Sequence, residues 1–266
     1  MSATPAILLS FDLEEFDIPL EYASDLSLDE QLDVSTRGAA ALLDLLDRCA
    51  VRCTFFITAQ YARCRPAVVE RIAATHEVAS HSLFHSQFEN AHLAESRRIL
   101  QDISGQPVTG FRRARLAATD NQAIADAGYR YDSSINPTYL PGRYNNLDKP
   151  RRLYALTPEL VELPISTMPF TRFPIFWLSL KNLPTAVTGV MSRLALKRDG
   201  YLNTFAHPWE FADLSKYAML PGYVRRVDGD RWLNKLATLI AGWKSAGRFM
   251  AISDYLSEYD APEHEA

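Results

Sequence analysis

The chain has 266 residues, 47% of them hydrophobic and 23% charged, the balance of an ordinary globular protein with room for a large core. A net charge of −4 gives no electrostatic footing for nucleic acid, so none is expected as a partner. The first apolar run, Ala6 to Leu9, is too short for a leader or a transmembrane span, and three cysteines (Cys49, Cys53, Cys64) make no disulfide framework, so a cytoplasmic protein with reduced, mostly buried thiols is expected.

Ala6 to Phe11 reads as a buried strand that ends in the carboxylate-rich Asp12-Leu13-Glu14-Glu15-Phe16-Asp17. Thr36 to Cys49 reads as a helix with Ala39, Leu42, Leu43 and Leu46 on one stripe, and Cys53 to Thr58 as a second strand. Pro66 opens a helix running to Ala74, and Glu77 to Ser80 is a short strand. Helix Ala91–Ile103, strand Val108–Arg112, helix Thr119–Ala127 and strand Tyr129–Asp132 continue the alternation. Residues 136–188 break it with a turn-rich loop, a strand at Glu162–Ile165 and an aromatic block from Phe170 to Leu183. That block suits a substrate lid, an oligomer contact, a membrane-leaning patch, a contact with an apolar carrier or a plain cover over the barrel. Helix Gly189–Lys197, strand Tyr201–Phe205, helix Arg231–Ser245 and a closing strand Phe249–Ile252 follow, with an acidic tail after Tyr259 expected to fray. There is no linker or repeat, so 1–266 is read as one domain with an irregular aromatic-rich insertion around 136–188.

Strict strand–helix alternation predicts a parallel α/β sheet, barrel or doubly wound, whose functional groups gather at the carboxyl ends of the strands. Asp12, His81, His85, Arg112, Asp132 and His207 all fall there. His81 and His85, four residues apart, would share one face of a helical turn and one metal ion. A third ligand would come from elsewhere, and the carboxylates at the end of the first strand are on offer.

These motifs together resemble the NodB-like polysaccharide deacetylases, carbohydrate esterase family four. Ser10-Phe11-Asp12-Leu13-Glu14 is similar to the family's Thr-Phe-Asp-Asp-Gly, and His76 to His85 to its Gly-His-Glu-Ile-Gly-x-His-(Ser/Thr)-x-x-His. Thr54-Phe55-Phe56 matches the intervening strand, Gly110 to Arg115 resembles the Phe-Arg-x-Pro motif without its proline, and Phe205-Ala206-His207 the late histidine motif. The resemblance covers about residues 6–252. It implies a distorted (β/α) barrel of the polysaccharide deacetylase type and metal-dependent removal of an N-acetyl group from an amino sugar.

On that resemblance Glu14, His81 and His85 hold a divalent ion, zinc first, with cobalt, nickel or manganese as alternatives, and Glu15 is second choice for the carboxylate. Asp12 is the general base and Arg112 orients it; His207 is the general acid, with Asp132 as its orienting partner. Backbone N–H groups near Ala114 and Arg115 would meet the oxyanion. Arg115, Tyr144, Asn145 and Trp209 are expected to contact the substrate, while His76 is structural. With no leader expected, the substrate would be a nucleotide- or lipid-linked precursor of a surface polysaccharide. A homo-oligomer is left open. Two alternatives remain on the same fold: a metal-free, allantoinase-like cyclic amide hydrolase, and an inactive carbohydrate-binding relative.

Overall fold

Residues 6–13 carry apolar side chains on both faces, as a central strand of a parallel sheet requires. The computed structural model, which describes residues 4–22 and 24–259, forms them into β1 (Ala6–Leu13), buried along its whole length. Ile7, Leu9, Phe11 and Leu13 join the large core beneath the helices, whereas Ala6 and Leu8 belong to a smaller core inside a curled sheet. The strand's period of two therefore separates an outer face from an inner one.

Strands β2 (Thr54–Ile57), β3 (Glu77–Ser80), β4 (Gly110–Phe111) and β5 (Tyr131–Asp132) follow β1 in parallel order. The hairpin β6 (Tyr139–Leu140) and β7 (Tyr144–Asn145) stands apart, and β8 (Tyr154–Ala155) with β9 (Val161–Glu162) extends the sheet beyond β5. On the other side β1 pairs with β10 (Tyr201–Ala206), and at its start with β11 (Arg248–Phe249). This is a mixed α/β half-barrel. Asn203 ties its far side back: its Nδ2 donates to the carbonyls of Leu163 and Pro164 at 3.0 and 3.1 Å and to Ser133 Oγ at 3.0 Å. The Ser166 N–H donates to the Asn203 carbonyl at 2.8 Å.

Helices α1 (Leu28–Cys49), α2 (Ala59–Cys64), α3 (Pro66–Ala73), α4 (Ala91–Ser104) and α5 (Asn121–Asp126) fill the first crossovers. After the insertion come α6 (Trp177–Asn182), α7 (Thr185–Asp199), α8 (Gly222–Arg225), α9 (Gly229–Lys244) and α10 (Ile252–Glu258). Helix α1 starts well before the expected Thr36 because Ser27 caps it, its hydroxyl accepting the Glu30 N–H at 3.2 Å. The expected closing strand is only β11, and Ile252 opens a helix instead, its N–H donating to Thr54 Oγ1 at 2.9 Å. Of the three free cysteines only Cys53 is fully buried; Cys64 is exposed. The acidic tail expected to fray lies outside the described residues. No helix among the described residues is long and apolar enough to cross a membrane.

Candidate active site

Parity along β1 decides which carboxylates meet. Ser10, Asp12 and Glu14 continue the inner face begun by Ala6 and Leu8, so Glu14 joins Asp12 and Glu15 turns away. Glu15 instead accepts Thr58 Oγ1 at 3.1 Å from both of its oxygens. On β3 the same alternation takes Ala79 inward and delivers His81 at the strand end.

His81 and His85 do converge, but not on a helix. They lie on an irregular loop after β3, with Ser82 at φ 75°. Glu14, His81 and His85 are the one such donor group found among the described residues, with ligand atoms within 4.8 Å of one another. Each imidazole is oriented through its Nδ1. His81 Nδ1–H donates to the Arg112 carbonyl at 2.9 Å, and His85 Nδ1–H to Asp17 Oδ2 at 2.8 Å. Both Nε2 lone pairs then face Glu14 Oε2, at 3.1 and 3.0 Å. Three acceptors on one point call for a cation between them, either protons or a metal ion. A carboxylate and two imidazoles, each imidazole held from behind by an acceptor, fit a zinc-like ion. Without one, burial works against the His85 imidazolium, yet Glu14 and Asp17 hold its pKa up at about 10. Burial likewise opposes the Glu14 carboxylate, and the histidines bring its pKa well below the usual range.

Asp12 stands beside this group, and Arg112 Nη1 donates to its Oδ1 at 2.7 Å. Arg112 is fully buried, and its other donors reach Ser10 Oγ, the Ser133 carbonyl and Ser133 Oγ at 2.9 to 3.0 Å. Its guanidinium carbon lies 4.0 Å from the Phe56 ring centroid. Such saturation holds the buried cation in one orientation.

His207 faces the same cavity from the end of β10, stacked on Trp209 at 5.0 Å and met edge-on by Trp177 at 5.1 Å. Its Nδ1 partner is not Asp132. The 3-10 turn Pro208–Phe211 folds Glu210 back, and Glu210 Oε1 accepts Nδ1–H at 2.9 Å. Lys181 Nζ lies 3.2 Å from Glu210 Oε2, both side chains wholly buried, as an ion pair outside hydrogen-bond angles. Asp132 bonds Ser134 Oγ and lies near Glu162 off the cavity wall; burial pushes its pKa up to about 7.

The cavity, about 500 Å³, is lined by Asp12, Glu14, His81, His85 and His207, with Arg115, Tyr144 and Trp209 also in its wall. Asn145 is not. It follows Tyr144 in β7, so consecutive side chains take opposite faces, and Asn145 is exposed. Trp209 does more than line the wall: its Nε1–H donates to Glu14 Oε1 at 3.2 Å. Arg115 and Leu116 are both in left-handed backbone, at φ 59° and 52°, just past the position of the missing proline. Arg115 pairs with Glu21 at 2.8 Å and Asp17 at 3.4 Å. His76 is structural in position, its Nδ1 accepting the Cys53 N–H at 3.3 Å below the strands.

Sequence reasoning gave no role to Glu210 or Lys181; it offered Asp17 among the carboxylates at the strand end and placed Trp177 in the aromatic block that suits a substrate lid. Asp17 was signalled as the last carboxylate of its motif, and Glu210 by its three-residue step from His207. Nothing in the sequence pointed to Lys181, which arrives from the aromatic block.

A carboxylate, two imidazoles, an Asp–Arg pair and a separate histidine thus gather at the carboxyl end of a curled parallel sheet. Residues 25–131 match the family model for polysaccharide deacetylase. Among solved structures the chain is similar to a protein of Mycobacterium smegmatis described as a polysaccharide deacetylase, at 18% identity and TM-score 0.63, covering 100% of this chain and 98% of that one. It is similar to a Pseudomonas aeruginosa protein described in the same way, at 18% and 0.66, with 97% and 92% covered. The Puue allantoinase shares the fold at 15% and 0.64, with 94% and 88% covered. No curated protein matches the sequence significantly. The match over residues 25–131 and the fold shared with these solved structures support membership of the NodB-like polysaccharide deacetylases.

Proposed function

We propose that the protein is a metal-dependent hydrolase that removes an acyl group, acetyl first, from the nitrogen of an amino sugar. One observation carries the reading: the convergence of Glu14, His81 and His85 in the same cavity as Asp12 and His207. Glu14, His81 and His85 would hold a divalent ion, zinc by the chemistry of the donor set. When bound, such an ion polarises the amide carbonyl and makes water more acidic. Asp12, aimed by Arg112, takes the water proton as general base. His207, with Nδ1–H held by Glu210, presents Nε2 to the cavity and delivers a proton to the leaving nitrogen. Burial opposes its charging, but Glu14 and Glu210 raise its pKa above the ordinary value, which favours the acid form. Trp177 and Trp209 fix the ring plane and keep water off it.

The hairpin residues Leu140 and Tyr144, with Tyr22 and Tyr223, also line the cavity. The substrate we infer is a small or carrier-linked sugar.

Acetate release from N-acetylated amino sugars and chitin oligomers tests the reading, with zinc-loaded and chelated protein compared. Loaded protein should turn over an acetamido sugar, and Asp12→Asn should keep the metal while losing about 10²–10⁴-fold in rate. Hydrolysis of allantoin by metal-free protein, without acetate release from any sugar, would overturn it.

A further inference from the structure

A second hollow of about 560 Å³ adjoins the catalytic cavity. The two share Leu140, Phe176, Leu178 and Tyr223, so this wall separates them only in part. Its remaining walls are mainly Tyr139, Leu147, Phe173, Pro174 and Leu183. Three of the polar side chains there are tied to the backbone. Arg172 Nη1 donates to the Lys149 carbonyl at 2.9 Å and the Pro137 carbonyl at 3.4 Å. Asn182 Nδ2 donates to the Leu178 and Tyr223 carbonyls, both at 2.9 Å. Ser179 Oγ donates to the Phe176 carbonyl at 2.9 Å and accepts the Phe176 N–H at 3.0 Å.

With Thr138, Thr171, Tyr139 and Tyr223 the remaining polar groups, the walls are mainly apolar and suit hydrocarbon better than sugar, whose hydroxyls each need a partner when taken from water. A hydrocarbon chain needs none. Beside the hollow, the Thr167–Pro174 bridge closes a turn in which Phe170 and Arg172 are held at φ 72° and 58°. That strained turn presents the Phe170 ring to solvent with 93% of its surface exposed. The exposed ring extends the apolar surface that continues from the groove.

We propose that this groove takes the hydrocarbon chain of a glycolipid substrate whose N-acyl sugar headgroup lies in the catalytic cavity. The assignment rests on the hydrolase reading for the headgroup, and on the groove's own walls for the chain. The chain then lies along Leu147 and Phe173, and the sugar reaches Asp12 past Leu140 and Leu178.

The test compares methyl and dodecyl glycosides of N-acetylglucosamine below the micelle concentration, with the zinc-loaded enzyme. The dodecyl compound should show kcat/KM at least about tenfold higher, since burial of even a few methylenes supplies that. Phe173→Glu and Leu147→Glu, each at a position about half exposed (47%), should remove the advantage and leave methyl glycoside turnover unchanged. Two separate variants guard against misfolding of either one. Equal kcat/KM for the two glycosides in the native enzyme would overturn the groove while the hydrolase reading stood. Calorimetric binding separates the remaining case. If neither glycoside releases acetate, but the dodecyl compound binds native protein at least tenfold tighter than Phe173→Glu, the groove stands and the hydrolase reading falls. Equal binding by native and variant protein would overturn the groove.

Discussion

Glu210 Oε1 accepts both the backbone N–H and the Nδ1–H of His207, at 2.8 and 2.9 Å. One carboxylate oxygen thus holds the main chain and the ring of the same residue, and only Nε2 is left for the substrate. Burial opposes the imidazolium and the carboxylates raise its pKa. Removal of Glu210's charge must therefore lower that pKa.

In Glu210→Gln the alkaline limb of the rate profile, where the acid form is lost, should move to lower pH, and kcat should fall by about tenfold or more. Lys181→Met leaves the buried Glu210 charge without its cation, and it should cost about 3–5 kcal/mol of stability. Rate–pH profiles and denaturant melts read the two effects separately. An unmoved limb in Glu210→Gln would show that His207 is not the titrating acid.

Glu14→Gln and His85→Ala should each abolish stoichiometric zinc in the purified protein, whereas Glu15→Gln should keep it, because Glu15 faces Thr58. Mass-spectrometric metal content decides this. Added zinc should also raise the melting temperature of chelated native protein, by a stability gain of about 2.7 kcal/mol at a hundredfold excess over Kd. It should leave the Glu14→Gln melt unchanged.

Burial pushes the Glu15 pKa up to about 7 against an ordinary 4.5. Between those values the folded protein binds a proton that the unfolded chain has released. Its stability is therefore full below about pH 4.5 and declines as pH rises through about 7, by an amount on the order of 3 kcal/mol. Glu15→Gln, neutral at every pH, should remove that decline. Parallel melts of native and variant protein from pH 5 to 8 measure it, and identical slopes would refute it.

Gly38 lies inside α1 where a Cβ would overlap the carbonyl of Pro208, the residue after His207. Gly38→Ala should therefore lower stability by about 1–3 kcal/mol through overpacking, despite alanine's better helix propensity. It should also lower kcat with zinc content intact, since Pro208 carries His207 with it. Gly242 in α9 meets nothing within 4 Å, so Gly242→Ala should be neutral or stabilise by up to about 1 kcal/mol. Loss of stability in both would mean that helix α1 does not set the His207 loop.

The sequence by itself determined the alternation of strand and helix and the residues at strand ends, because apolar periodicity and cap residues are local properties. The choice of Glu14 over Glu15 came from the family resemblance, and the period of two along β1 supplies its physical reason: Glu14 shares the inner face with Asp12. What only the tertiary structure decided depends on groups distant in the chain. His81 and His85 meet across an irregular loop because Asp17 and the Arg112 carbonyl hold their Nδ1 atoms, not because a helix aligns them. Asp132 matched the strand-end pattern, yet the turn after Pro208 supplies Glu210 at closer range, so His207 pairs there. Lys181 and Trp177 reach the site from the aromatic block only through packing of α6 against β10, which no periodicity encodes. Local spacing places a side chain at the end of a strand; which other side chain it meets is fixed by the curl of the sheet and the closure through Asn203.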